Sequence, residues 1–129
     1  FALNLSDGSD LMLSFARAKD GSFPLVYGTW VGANGVVRHI EGDQINLTAL
    51  GSWTSPRTGA TWPSGWRVQI GQIDLDVTVT PELADQELNT VESTGVIYWE
   101  GANAVAGTLG GRPITGRTYV ELTGYATLR

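Results

Sequence analysis

The 129-residue sequence has no cysteine, a single histidine and no run of lysine or arginine. Without cysteine there can be no disulfide, no thiolate zinc site and no cysteine nucleophile. One imidazole falls short of the three protein ligands of a catalytic zinc, so no metal and no cofactor are expected. With a net charge of −5 and scattered cations, the chain lacks the footprint that a phosphate backbone requires, and nucleic acid is not an expected partner. No apolar stretch approaches the roughly 18 residues of a membrane-spanning helix, so any membrane association would not use a transmembrane segment. A Gly-x-Ser-x-Gly elbow is missing, as is a charged-then-apolar leader. The chain opens on Phe1-Ala2-Leu3-Asn4-Leu5, which reads as the middle of a strand and suggests a fragment or a processed chain.

What is present is β-structure. Leu11, Leu13 and Phe15 alternate with Met12, Ser14 and Ala16, and Ile73, Leu75, Val77 and Val79 alternate with Asp74, Asp76, Thr78 and Thr80. A period of two places one set inside and the other in water. Seventeen glycines punctuate the chain, and Asp7-Gly8, Asp20-Gly21, Asn34-Gly35 and Gly110-Gly111 supply turn residues that tolerate positive φ. They delimit nine strand-like segments: 1–6, 10–18, 26–30, 36–40, 44–50, 66–70, 73–80, 96–106 and 118–128. Thr80-Pro81 should end its strand, since proline removes a ladder donor. A helical turn is expected only within 81–88. The fold class is therefore all-β and antiparallel. A sheet of this size closes on itself or packs on a second one, and a closed barrel has room inside for side chains or one small ligand.

Three places carry candidate chemistry. Between Trp53 and Trp66 stand three tryptophans, two prolines and two glycines, the composition of a stiff aromatic hairpin or rim loop. Indole faces there could grip an apolar ligand, or could cap the barrel end as packing. The second place pairs Tyr98-Trp99-Glu100-Gly101 with the run from Tyr119 through Glu121 to Tyr125. A connection at Gly110-Gly111 makes these antiparallel neighbours, so that Glu100 and Glu121 could share acid–base work. The structural alternative pairs them with Arg112, Arg117 or Arg67 in a network that fixes register. Third, His39 is the one histidine and a candidate general base, with Val37 on its face and Arg38 and Ile40 on the other; a surface strand histidine is the alternative. Asp85-Gln86-Glu87 reads as a helix start or a calcium-facing loop, without the ligand density of a metal site.

Several stretches together resemble a known family. These are Phe1-Ala2-Leu3-Asn4-Leu5-Ser6-Asp7-Gly8 with Asp10-Leu11-Met12-Leu13, then Gly28-Thr29-Trp30, Trp53-Thr54-Ser55-Pro56-Arg57-Thr58-Gly59, Pro63-Ser64-Gly65-Trp66, Tyr98-Trp99-Glu100-Gly101-Ala102, and the block from Gly116 to Tyr125. In this order they resemble the C-terminal, lipocalin-like domain of the carotenoid 1,2-hydratase and AttH-type secreted-hydrolase family. Thr118 stands where that family usually has glycine, and Trp62 where tyrosine is common. The resemblance implies an up-and-down, calycin-type barrel of about 8–10 strands spanning 1–129, the second of two such barrels, in a bacterial protein. It implies a pocket for a hydrophobic small molecule, isoprenoid or lipid-like, shared with the missing N-terminal barrel. In the carotenoid branch water adds across a terminal alkene, and related fungal members shape a cyclisation.

On that resemblance the catalytic candidates are His39, Glu100 and Glu121, and the ligand-binding candidates are Trp53, Trp62, Trp66, Tyr98, Trp99, Tyr119 and Tyr125. All are wall or supporting residues rather than a complete active site, because the family's suspected motifs lie mostly in the first half. The expectations are a binding domain, a hydratase- or lyase-like enzyme, or a purely structural barrel. Low lysine and abundant Thr, Ser and Gly are compatible with export, and the expected location is extracytoplasmic, periplasmic or secreted.

Overall fold

A computed structural model describes residues 1–126. Its twelve strands are β1 (Ala2–Leu5), β2 (Asp10–Ala16), β3 (Leu25–Val31), β4 (Val37–Glu41), β5 (Ile45–Ala49), β6 (Ser52–Thr54), β7 (Thr61–Pro63), β8 (Trp66–Ile70), β9 (Leu75–Pro81), β10 (Glu87–Asn89), β11 (Ile97–Leu109) and β12 (Arg112–Leu122). Nine of them run in the order β4-β3-β2-β1-β12-β11-β9-β8-β5, all antiparallel, with β10 added beside β11 and β6-β7 as a separate hairpin. The expected all-β, lipocalin-like barrel is the observed architecture: an antiparallel, nearly closed, barrel-shaped sheet.

Local chemistry explains the turns. In both Asp7-Gly8-Ser9 and Asp20-Gly21-Ser22 the aspartate Oδ1 accepts from the serine amide at 2.9 Å and the serine hydroxyl at 2.6 Å, while glycine takes φ +86. At Gly110-Gly111 both residues have positive φ, and the two-residue turn sets Leu109 opposite Arg112. That register runs down the whole β11–β12 pair.

Alternation then builds the interior. Ile97, Trp99, Asn103 and Val105 of β11 are buried, as are Ile114, Thr118, Val120 and Leu122 of β12, and Leu11 and Leu13 of β2. These join Leu3, Ile40, Trp66, Val68, Ile70, Leu75, Val77 and Val79 in one core inside the barrel. The edge strands β4 and β5 are linked by one 3-10 turn (Gly42–Gln44). Across this seam the Gln72 side chain substitutes for a strand: its Nε2 donates to the His39 carbonyl at 2.8 Å, and its Oε1 accepts from the Glu41 amide at 3.4 Å. A similar substitution fills the gap between β9 and β10. There the Gln86 amide donates to the Ala102 carbonyl at 3.1 Å and accepts from the Ala102 amide at 2.8 Å. Gly101 makes room for it, since a Cβ at that position would run into the Gln86 amide.

Several sequence expectations are corrected. Residues 81–88 hold no helical turn; Pro81 closes β9 and Glu87 opens β10. The segment expected from Ile73 begins at Leu75, because Gly71–Ile73 form a 3-10 turn and Asp74 is left-handed at φ 52. Strand β12 starts at Arg112 rather than 118, carried past Pro113 by the tight hairpin. Residues 127–128 of the last expected segment lie outside the described residues.

Candidate ligand-binding site

The hairpin β6-β7 continues the β5–β8 pair through hydrogen bonds from the Leu50 amide to the Gly65 carbonyl (2.8 Å) and from the Ser64 amide to the Gly51 carbonyl (2.9 Å). It bends over one end of the barrel and is latched there by a carboxylate that sequence reading missed. The Glu87 side chain is fully buried. Its oxygens accept from the Ser55 hydroxyl (2.7 Å), the Thr58 hydroxyl (2.8 Å) and the Trp62 indole N–H (2.8 Å). Arg57 lies 3.7 Å from Glu87 Oε1, donates to the Glu87 carbonyl at 3.2 Å and forks onto both Asp85 oxygens. A buried charge needs this full set of partners. Asp85-Gln86-Glu87 is thus an arginine-paired latch and neither a helix start nor a cation loop. No group of three acidic, histidine or cysteine side chains able to hold a metal occurs among the described residues.

Inside the latch aromatic rings meet in tilted and edge-on contacts. Trp62, fully buried, meets the Tyr125 ring at 5.6 Å between centroids. Trp99, also fully buried, donates its indole N–H to the Ala84 carbonyl at 2.9 Å and contacts Trp66 edge-on at 6.0 Å. Trp66 meets Phe1 at 5.4 Å, and Phe1 meets Phe15 at 5.9 Å. The rings of Phe1, Phe15 and Trp66 stand on one side of a cavity of about 390 Å³. Buried Leu13 and Leu122 and half-buried Leu47 form its apolar floor, while half-buried Tyr125 and the exposed Phe23, Arg17 and Glu121 line it toward solvent. The volume falls in the range of small-molecule pockets, about 300–1,000 Å³.

Of the residues singled out in the sequence, Trp66, Tyr125 and Glu121 line this cavity. Trp62 and Trp99 stand behind it, and half-buried Trp53 pairs across the hairpin with Trp62. Tyr98, Glu100 and Tyr119 alternate with buried residues and so lie on the outer face of the sheet. The two segments are antiparallel neighbours as the sequence suggested, and the register sets Glu100 directly opposite Glu121. The expected pairing of these glutamates with Arg67, Arg112 or Arg117 does not occur among the described residues. Arg67 instead forks onto Asp76 of the neighbouring strand at 2.9 and 2.6 Å. His39 is exposed on edge strand β4, 3.7 Å from Glu41, and does not line the cavity. Tyr125 is not on the strand face expected for it: β12 ends at Leu122, and Gly124 at φ +79 turns the chain back.

Two ion pairs contribute to the acid response. Hydrogen bonds from Arg57 hold Asp85 below its ordinary value of 3.8, and hydrogen bonds from Arg67 do the same for Asp76. The same contacts raise both arginines. A depressed carboxylate stabilises the fold above its unfolded pKa, and that contribution disappears as pH falls through the folded value. Thermal stability should therefore be flat near neutrality and drop below about pH 3.8. In Asp85→Asn the melting temperature measured from pH 6 to pH 2 should start lower and fall less; a parallel curve would remove Asp85 from the acid limb.

No curated protein sequence matches the chain. Among solved structures, a protein of Nitrosomonas europaea assigned as AttH superposes with a TM-score of 0.84 at 40% identity, over 96% of this chain and 37% of that one. Kievitone hydratase of Nectria haematococca superposes with a TM-score of 0.77 at 20% identity, over 95% of this chain and 37% of that one, a likeness of fold. The chain thus spans well under half the length of each. The AttH-like family model matches residues 1–125. With that match and the shared barrel, the chain belongs to the AttH-like family.

Proposed function

We propose that this barrel supplies one wall of a pocket for an apolar small molecule within a longer AttH-like protein that works outside the cytoplasm. The observation that carries the reading is the cavity of about 390 Å³ at the barrel mouth, floored by Leu13, Leu47 and Leu122 and edged by Phe1, Phe15 and Trp66. Aromatic and aliphatic walls with a few charged groups at the rim are the usual make-up of a ligand site. In the longer protein a preceding barrel would cover the opening.

The neutral fluorescent probe N-phenyl-1-naphthylamine should bind the chain saturably. Leu47→Trp, which fills the floor, should weaken that binding at least tenfold while leaving the circular dichroism spectrum and melting curve cooperative. A probe that does not bind, or one indifferent to Leu47→Trp, would sink the proposal.

A second reading makes the barrel part of a hydratase. Kievitone hydratase has this fold, and Glu121 stands at the rim of the cavity, where a carboxylic acid could protonate an alkene before water captures the cation. His39 and Glu100 lie off the cavity and would have no contact with the reacting atoms. Glu121→Gln in the full-length protein should then abolish turnover without changing probe affinity; retained turnover would end this reading.

A further inference from the structure

Among the described residues one cationic side chain lines the cavity, Arg17, immediately after β2. Its surroundings differ from those of the two arginines that fork onto aspartates, Arg57 and Arg67. Arg17 donates from Nη1 to the Gly124 carbonyl at 3.0 Å and lies 4.6 Å over the Tyr125 ring. No carboxylate of the described residues lies within ion-pair distance of it. A guanidinium has five N–H donors in a fixed plane. The carbonyl and the ring set the orientation of that plane and use one donor, so the group is held at the rim with donors to spare. Tyr125 is itself packed on the latched Trp62, which makes the mounting rigid.

Glu121, the other charge at the rim, is on the opposite strand face from buried Val120 and Leu122. It therefore meets the cavity at its exposed edge and not at the apolar floor.

We propose that the ligand is an amphiphile with a flat, ring-sized apolar body and a carboxylate head, and that Arg17 receives the head. This rests on reading the cavity as a ligand site. The planar fork of arginine matches a carboxylate. Among the described residues Arg17 is the one cationic side chain in the lining, and it shares that lining with Glu121, a balance that suits a monoanion better than a doubly charged phosphate.

Isothermal calorimetry with 2-naphthoate and 2-naphthalenemethanol separates head from body. The wild-type chain should bind the carboxylate about tenfold more tightly than the alcohol, the scale of a charge-assisted hydrogen bond. Arg17→Gln should bring the two to equal affinity by weakening the carboxylate alone, and Arg17→Lys should keep part of the preference. If the wild type binds both compounds alike, the head assignment is overturned and the pocket stands. Should Arg17→Gln weaken both equally, Arg17 only props the wall and the assignment is again overturned. Failure of the wild type to bind either compound overturns the assignment together with the pocket.

Discussion

Glu87→Ala is expected to cost about 3–5 kcal/mol of folding stability, because it removes the acceptor of three polar groups at once. The mutation leaves the buried Ser55 hydroxyl and Trp62 indole N–H, and the half-buried Thr58 hydroxyl, all bonded to this carboxylate at 2.7–2.8 Å, without that acceptor. Each orphaned donor carries a desolvation penalty of about 1–3 kcal/mol, and relaxation of the hairpin limits the sum. Glu87→Gln should cost less, since one amide oxygen survives, but its NH₂ meets donors where acceptors are needed. Urea denaturation followed by circular dichroism measures both. If Glu87→Ala loses less than about 1 kcal/mol, the hairpin is not latched as described. For a domain with about 5–15 kcal/mol of stability, the alanine variant should be close to the edge of folding at 37 °C.

Trp66→Ala should lose a comparable amount, about 3–5 kcal/mol, for a different reason: it empties space instead of orphaning polar atoms. Trp66 is 2% exposed and holds Phe1 and Trp99 by edge-on contacts at 5.4 and 6.0 Å. Its loss removes the joint between the barrel core and the pocket wall, so the cavity should enlarge and its affinity for small ligands fall together with stability. Trp53→Ala, at a half-buried position on the hairpin, provides the contrast and should cost clearly less. Equal costs for the two would contradict a core centred on Trp66. The denaturation slope should stay near wild type in both, which separates a change in stability from a change in compactness.

The two effects have different origins in the sequence. Leu11, Leu13, Leu75, Val77 and Val79 announce their inward direction by alternation with polar neighbours, and all five are buried. Asp7-Gly8, Asp20-Gly21 and Gly110-Gly111 announce their turns because the required φ is available to few residues. The antiparallel pairing of the Glu100 and Glu121 segments was legible for the same reason, through the turn at Gly110-Gly111. By contrast, β6, β7 and β10 have three residues each, too few to show a period, and they hold their place through contacts made elsewhere. Glu87 reaches partners 25 to 32 residues away, and no local spacing encodes that. Arg17 looks like a solvated strand end until Gly124 and Tyr125, over a hundred positions later, fold onto it. The cavity lining, drawn from Phe1 before β1, β2 and the connection after it, β5, β8, the end of β12 and the segment beyond it, is likewise a product of closure.

The central claim is that an apolar ligand enters the barrel mouth beside Trp66. The five tryptophans supply five indole N–H signals, of which Trp66 lines the cavity and Trp30 does not. In a ¹⁵N-resolved titration with N-phenyl-1-naphthylamine, the Trp66 signal should move saturably and most, Trp99 and Trp62 less, and Trp30 not at all. Saturable shifts centred on Trp30, or none at Trp66 while the probe binds, would place the ligand elsewhere and contradict the claim.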